Sequence, residues 1–281
     1  MQIAALVTVA LAEAKAGDDK KEKCYGLAMS GGAAYGAYEA GGLSGLVNAV
    51  HDKSKMTWDV VSGVSAGSFN SLLVAAFAKG DEEAMVEKLE HMWGDLHEFN
   101  VFEEYPEGLV KAITEESSIL STKPLFEFLR AQYEDVKPIK DRDVYWNCAD
   151  ANSGTYIQLD KTIDDPVKAT IASGSIPIAF PPQIWEDKNW VLSDGGANYN
   201  LNFASVIQKC REYGYEDKDI VVDIVSAWHF HPPGKYEISQ NAYDNYKRVQ
   251  HIKKYHFKDN DVVEFIRAFP NIDFRYYVRP Q

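Results

Sequence analysis

Short runs of consecutive apolar residues alternate along the chain with stretches whose apolar positions recur every three or four residues. The first run, Tyr25 to Ser30, leads into Gly31-Gly32. From Ala37 to Val50 the apolar residues Tyr38, Leu43, Leu46, Val47 and Val50 fall at helical spacing. A second strand-like run spans Trp58 to Ser62. It is followed by a helical pattern over Ala66 to Lys79 that Gly80 is placed to close. Glu82 to His97 carries Met85, Leu89, Met92 and Leu96 on one helical face, and Phe99 to Ser121 is irregular, aromatic and acidic. Pro124 predicts a helix start, with Phe126, Leu129 and Tyr133 behind it. Val144 to Ala149 and Thr155 to Leu159 predict two strands joined by a turn at Asn152-Ser153-Gly154. Asp165-Pro166 opens a further helix, Val191 to Ser193 is a short strand, Ile220 to Ser226 is a buried one, and Tyr236 to Phe257 is helical. Strands that are apolar throughout and alternate with helices are those of a parallel sheet covered on both faces. The prediction is an α/β protein: three layers, α/β/α, around a mainly parallel sheet.

No linker-like stretch divides residues 25–281, so a single domain is expected there. The 29 Lys and Arg against 42 Asp and Glu give a formal charge of −13. That balance excludes a nucleic-acid partner, which requires a basic surface, and simple electrostatic docking on anionic lipid. Ahead of the domain, Ile3 to Leu11 is an uncharged apolar run followed by small-x-small steps around Ala12 to Ala16. Residues 1–16 therefore read as a secretory signal, with the secreted or endomembrane lumen as location, although no basic residue precedes the run; a cytoplasmic start is the alternative. Residues 17–24 read as a charged leader. The run is too short to span a bilayer, and no transmembrane anchor is expected. Cys24, Cys148 and Cys210 are odd in number and fit no zinc spacing, so three buried thiols and no metal site are expected, with one bridged pair as the alternative if the chain is secreted.

Three segments carry candidate chemistry. Gly63-Val64-Ser65-Ala66-Gly67 lies between a strand and a helix, where a tight turn needs small neighbours and lifts the serine hydroxyl clear of the sheet. The helix start beneath it favours negative charge. Ser30-Gly31-Gly32-Ala33-Ala34-Tyr35-Gly36 also joins a strand to a helix, and its small residues leave backbone N–H groups open to a ligand oxygen. It lacks the Lys-Ser/Thr ending of a nucleotide phosphate loop, and Ala33 stands where a dinucleotide loop has its second glycine. Asp194-Gly195-Gly196 is by itself a turn signal.

Taken in order, these segments resemble the patatin-like phospholipase family. That family has a Gly-rich oxyanion loop, a G-x-S-x-G elbow and a later D-G-[GA]. The stretches MSGGAAYGAYEAGGL, DVVSGVSAGSFNSLL and the block from Ala169 through Asp194-Gly195-Gly196 carry the resemblance, with Ser173, Ile176-Pro177 and Phe180-Pro181-Pro182 in the expected places. The likeness runs from Tyr25 to about Ile207. It departs where Ala33 replaces a third glycine, where Tyr35 replaces a basic residue, and where Asn200-Leu201-Asn202 replaces Asn-x-Pro.

The resemblance implies a serine lipid acyl hydrolase of phospholipase A or lysophospholipase type, without cofactor. In it Ser65 is the nucleophile, Asp194 the general base, and Gly31, Gly32 and Ala33 form the oxyanion hole; Gly63 and Gly67 shape the elbow, and Gly195 and Gly196 support the aspartate turn. Its partner is a lipid or phospholipid at a membrane or micelle interface. Phe99, Val101, Phe102, Tyr105 and Leu109 are candidates for an acyl groove or lid, or ordinary core. Two alternatives stay open. One is an α/β-hydrolase triad of Ser65, Asp194 and His229 or His231. The other is a weakly active or inactive relative that binds lipid or protein, which Ala33 and Tyr35 suggest.

Overall fold

The computed structural model describes residues 23–136, 139, 141–227 and 241–280. The expected signal at residues 1–16 and all of the leader before Lys23 lie outside them, and Cys24 already belongs to the first strand. The elements in order are β1 (Cys24–Met29), α1 (Gly36–Ala49), β2 (Val60–Val64), α2 (Ala66–Ala76), α3 (Glu82–Asp95), β3 (Glu103–Glu104), α4 (Leu109–Glu115), β4 (Leu120–Ser121), α5 (Lys123–Val136), β5 (Asp143–Asp150), β6 (Tyr156–Asp160), α6 (Pro166–Ser173), β7 (Gln183–Trp185), β8 (Trp190–Asp194), α7 (Ala204–Glu212), β9 (Ile220–Val225), α8 (Ala242–Ala268) and β10 (Asp273–Val278).

Five strands in the order β10-β9-β1-β2-β5 are parallel, and β6, β8 and β7 extend the sheet antiparallel. Side chains of a strand alternate between faces, and here both faces are apolar. Leu27 and Met29 of β1 join Val61 of β2 in a core shared with α1, α2, α3, α5 and α6. Ala28 and Val60 point the other way, into a core with Phe203, Val206 and Ile207 from the α7 region and Val262 of α8. The result is the three-layer α/β/α arrangement with a mostly parallel sheet.

The pairing of β5 fixes where the functional segments meet. A strand has two edges. Tyr145 and Asn147 pair with β2 and also with β6, so those two strands lie on opposite edges. Cys148 and Ala149 pair with both β6 and β8, which puts β8 on the β2 edge. β2 therefore climbs this edge as far as Val64, opposite Asn147, while β8 descends the same edge to Asp194, opposite Cys148. Two strand ends converge head-on at adjacent register positions, about 3.4 Å apart along the edge.

One expectation is corrected. Gly80 does not cap α2, which ends at Ala76 with Phe77 extended. The buried Arg142 guanidinium takes the Phe77 and Ala78 carbonyls at 3.1 and 2.9 Å, so a long-range donor terminates the helix. Of the two cysteine readings, the structure has the bridged pair rather than three thiols. Cys24 of β1 and Cys210 of α7 form a disulfide, and Cys148 alone is free and buried.

Candidate active site

β2 runs into Val64 unbroken, and Ser65 then leaves it at φ 50°, ψ −120°. A residue with a side chain takes such a conformation only when its surroundings over-determine it. Here the Gly67 N–H is drawn to the Ser30 carbonyl at 3.0 Å, and the Ser68 N–H bonds the Ser65 carbonyl at 2.8 Å. A Cβ on Gly67 would lie 2.6 Å from the Met29 carbonyl oxygen, and one on Gly63 would collide with the carbonyl of Gly67. Glycine on both sides of Ser65 is thus a steric condition of the turn.

Asp194 ends β8 in ordinary geometry, φ −49° and ψ 122°. Its Oδ1 accepts the Gly196 N–H at 2.7 Å, which orients the carboxylate and gives the Asp-Gly-Gly turn its shape. Ser65 and Asp194 are each 7% exposed, sheltered yet reachable. Both are held from the end of α6: the Ser65 N–H donates to Ser173 Oγ at 3.0 Å, and the Asp194 N–H donates to the Ser175 carbonyl at 2.9 Å. Ser173 Oγ in turn donates to the Asn147 carbonyl at 2.6 Å. Asn147 is buried in β5, where its Nδ2 reaches the Gly63 carbonyl at 2.7 Å and its Oδ1 accepts Asn202 Nδ2 at 2.9 Å.

The Gly-rich loop joins this cluster through Asn200. Asn200 Nδ2 donates to the Gly31 carbonyl at 2.9 Å, and the Gly31 N–H donates to the Asn200 carbonyl at 3.0 Å. A Cβ on Gly31 would sit 2.6 Å from Asn200 Oδ1 and 2.9 Å from Ser65 Cβ. One on Gly196 would sit 2.7 Å from the same Asn200 oxygen and 3.0 Å from Asp194 Oδ1. Loop, elbow and aspartate turn thus abut one another around a single side chain.

The Gly31 N–H, read from the sequence as an oxyanion donor, is occupied by the Asn200 carbonyl. Among the described residues no hydrogen bond engages the N–H of Gly32 or of Ala33. Ala33 has φ 50°, so it takes the left-handed conformation that a glycine would accept without strain. Tyr35, standing where the family carries a basic residue, is 61% exposed.

Cys148 lies opposite Asp194 in the sheet, and burial, then the Asp194 charge, push its thiol well above the usual range. Burial raises the Tyr156 phenol too, with Cys148 and Asp194 adding to it. Neither group competes as a base at neutral pH. His229 and His231 lie outside the described residues.

Of the candidate groove residues, Phe99 and Leu109 are exposed, Val101 packs on the main core, and Tyr105 OH meets Ser118 Oγ at 3.2 Å. Phe102 lies beside Phe180, the rings tilted by 37° with centres 6.2 Å apart. The Ile119 and Leu120 amides bond the Ile178 and Ala179 carbonyls. The irregular region therefore borders the stretch that holds Ser65 and Asp194. Asn147, Asn200 and Ser175 went unread as site residues. Asn147 gives one signal, a lone amide within the apolar run Val144 to Ala149.

The patatin-like phospholipase family model matches residues 27–207, close to two-thirds of the chain. No match was found among the curated proteins. Among solved structures, VipD from Legionella pneumophila aligns with 88% of this chain and 56% of its own, at 14% identity and a TM-score of 0.40. The chain thus spans little more than half the length of that protein.

Proposed function

The chain belongs to the patatin-like phospholipase family, and on that premise we propose that it is a lipid acyl hydrolase working through a Ser65–Asp194 dyad. The observation that carries this is the convergence of β2 and β8 on one edge of β5, with Ser65 and Asp194 at their ends. Asp194 accepts the Ser65 hydroxyl proton as Oγ attacks the ester carbonyl. The oxyanion is held by the amides of Gly32 and Ala33, with Gly31 as the wall against Ser65. Collapse expels the alcohol, which takes the proton from Asp194. Water then gives its proton to Asp194 and attacks the acyl-enzyme, and the proton returns to Ser65 as the fatty acid leaves.

The substrate is a fatty-acyl ester of phospholipase A or lysophospholipase type, met at a membrane or micelle surface. Ile176 and Ile178, just beyond Ser175, are exposed, as are Leu109, Val110 and Ile113 of α4. They offer apolar contact to a lipid aggregate, and the charge of −13 favours a zwitterionic surface over an anionic one. The Cys24–Cys210 disulfide supports a secreted or lumenal location; recovery of only reduced chain from the native compartment would count against it.

A fluorophosphonate probe tests the dyad directly. The folded protein should gain one adduct on the peptide containing Ser65, and Ser65→Ala should gain none. A folded chain that stays unlabelled would leave only the non-catalytic relative. If His229→Ala or His231→Ala abolished ester hydrolysis, the triad would replace the dyad.

A further inference from the structure

Beneath the Gly-rich loop lies a carboxylate for which the mechanism has no use. Glu39, on the first turn of α1, is fully buried. Its Oε1 accepts the Ser30 N–H at 2.9 Å, the Ser30 hydroxyl at 3.1 Å and the Ala227 N–H at 3.1 Å; its Oε2 accepts Asn70 Nδ2 at 3.1 Å. Burial pushes the carboxyl well above the usual range, and the donors from Ser30, Asn70 and Ala227 pull against that. Burying such a group is costly, and well-packed apolar residues commonly serve stability as well. What the carboxylate does is join segments. Ser30 precedes the loop glycines and its carbonyl holds the Gly67 N–H of the elbow. Ala227 follows β9, bonds Ser30 Oγ through its N–H at 2.8 Å, and packs so closely on Gly32 that a Cβ there would collide with it. Asn70 belongs to α2, the helix behind Ser65.

We propose that Glu39 is a positioning residue, fixing Ser30 and Ala227 and through them the Gly32 and Ala33 amides beside Ser65. The inference rests on the dyad reading for its catalytic consequence, not for the positioning itself. Glutamine at this position keeps the volume and spoils the site. All four partners are donors, and Asn70 cannot flip its amide, because its Oδ1 accepts Trp93 Nε1 at 2.7 Å. Either orientation of the new amide sets an NH2 against a donor.

The test compares Glu39→Gln with Glu82→Gln, which strips a buried carboxylate from Arg142 on the far side of α2 from the loop. Glu39→Gln should lower kcat and the rate of fluorophosphonate labelling about 100-fold, as loss of an oxyanion donor does, with KM unchanged. The Gly31 amide should exchange with solvent at least about 10-fold faster while β2 amides do not. Glu82→Gln should lose stability without either change. A folded Glu39→Gln with wild-type kcat and wild-type Gly31 exchange overturns the proposal, as does equal slowing by Glu82→Gln. If Glu39→Gln does not fold, Ser30→Ala, which removes one hydroxyl link, should lower kcat about 10-fold at constant KM; wild-type kcat in that variant is equally fatal. If the wild-type protein hydrolyses no ester, the dyad falls, and Gly31 exchange alone judges Glu39.

Discussion

The two strand ends that meet at β5 are built on opposite principles. At the end of β2, Ser65 is forced to φ 50° by a glycine two residues to either side, Gly63 pressed on the Gly67 carbonyl and Gly67 on the backbone of Met29 in β1, and by a helix that begins at the next residue. At the end of β8, Asp194 is relaxed. Apart from the Gly196 amide two residues on, what locates it comes from afar, the Ser175 carbonyl and the pairing with Cys148. The Ser65 turn is written in its own flanking glycines, with Ser173 and Ser30 pinning it from other elements, whereas Asp194 is located mainly by tertiary contacts. Changes to side chains at the two ends should therefore act differently on chemistry and on folding.

The largest effects come from removing the groups themselves. Ser65→Ala should abolish adduct formation and turnover. Asp194→Asn should lower kcat by about 10⁴-fold, the scale seen when a catalytic carboxylate is made neutral with its geometry kept. Burst kinetics on a chromogenic ester would check both. If Asp194→Asn kept kcat within about tenfold of wild type, the pairing of the two strand ends would have no chemical meaning.

A smaller effect should come from the one side chain that serves the elbow and the β5 hub together. Ser173 Oγ accepts the Ser65 N–H and donates to the Asn147 carbonyl. Ser173→Ala leaves two buried backbone groups short of a partner, at about 1–3 kcal/mol each. A loss of about 2–6 kcal/mol in urea unfolding is expected, with a fall in kcat of about 10- to 100-fold because Ser65 is displaced. Loss of stability with unchanged kcat would mean that the elbow holds its shape without this support.

The same division decides what the sequence made legible. β1, β2 and β9 appear as apolar runs, and α1, α2 and α3 as periodic ones, because each is buried by a pattern written within itself. The elbow was legible for the same reason. β7 was not: its Ile184 is exposed and its Gln183 buried, the reverse of what polarity suggests. β10 was missed because Arg275 sits in mid-strand, paired with the buried Asp223 of β9. α7 is nine residues long, with only Val206, Ile207 and Cys210 as its apolar buried face. Asp194 could be read as more than a turn only by family resemblance. Asn200 entered the reading as a departure from a motif, and nothing local marks it as the residue that ties the Gly-rich loop to the aspartate turn. Glu39 lies four residues before Leu43 and eight before Val47, so a helical wheel sets it on the buried stripe of α1; the donors that it meets there come from distant segments that the wheel does not show.

The smallest effect should separate strain that serves chemistry from strain that does not. Ser65 and Ala33 share φ 50°. A left-handed conformation costs a residue with a side chain about 1–2 kcal/mol, a cost that glycine escapes. Ser65→Gly should therefore be more stable than the equally inactive Ser65→Ala. At Ala33 the relief on going to glycine is offset by about 0.4–1 kcal/mol of added freedom in the unfolded chain. Ala33→Gly should shift stability by no more than about 1 kcal/mol, and by widening the approach to the Ala33 amide it should raise kcat a few-fold, a change of about 0.5–1 kcal/mol in the barrier. Thermal unfolding and ester kinetics on the two glycine variants measure both quantities. If Ala33→Gly lowered kcat, the alanine would be a contact that the substrate uses, and the Gly-rich loop would resemble the elbow in needing its strained side chain.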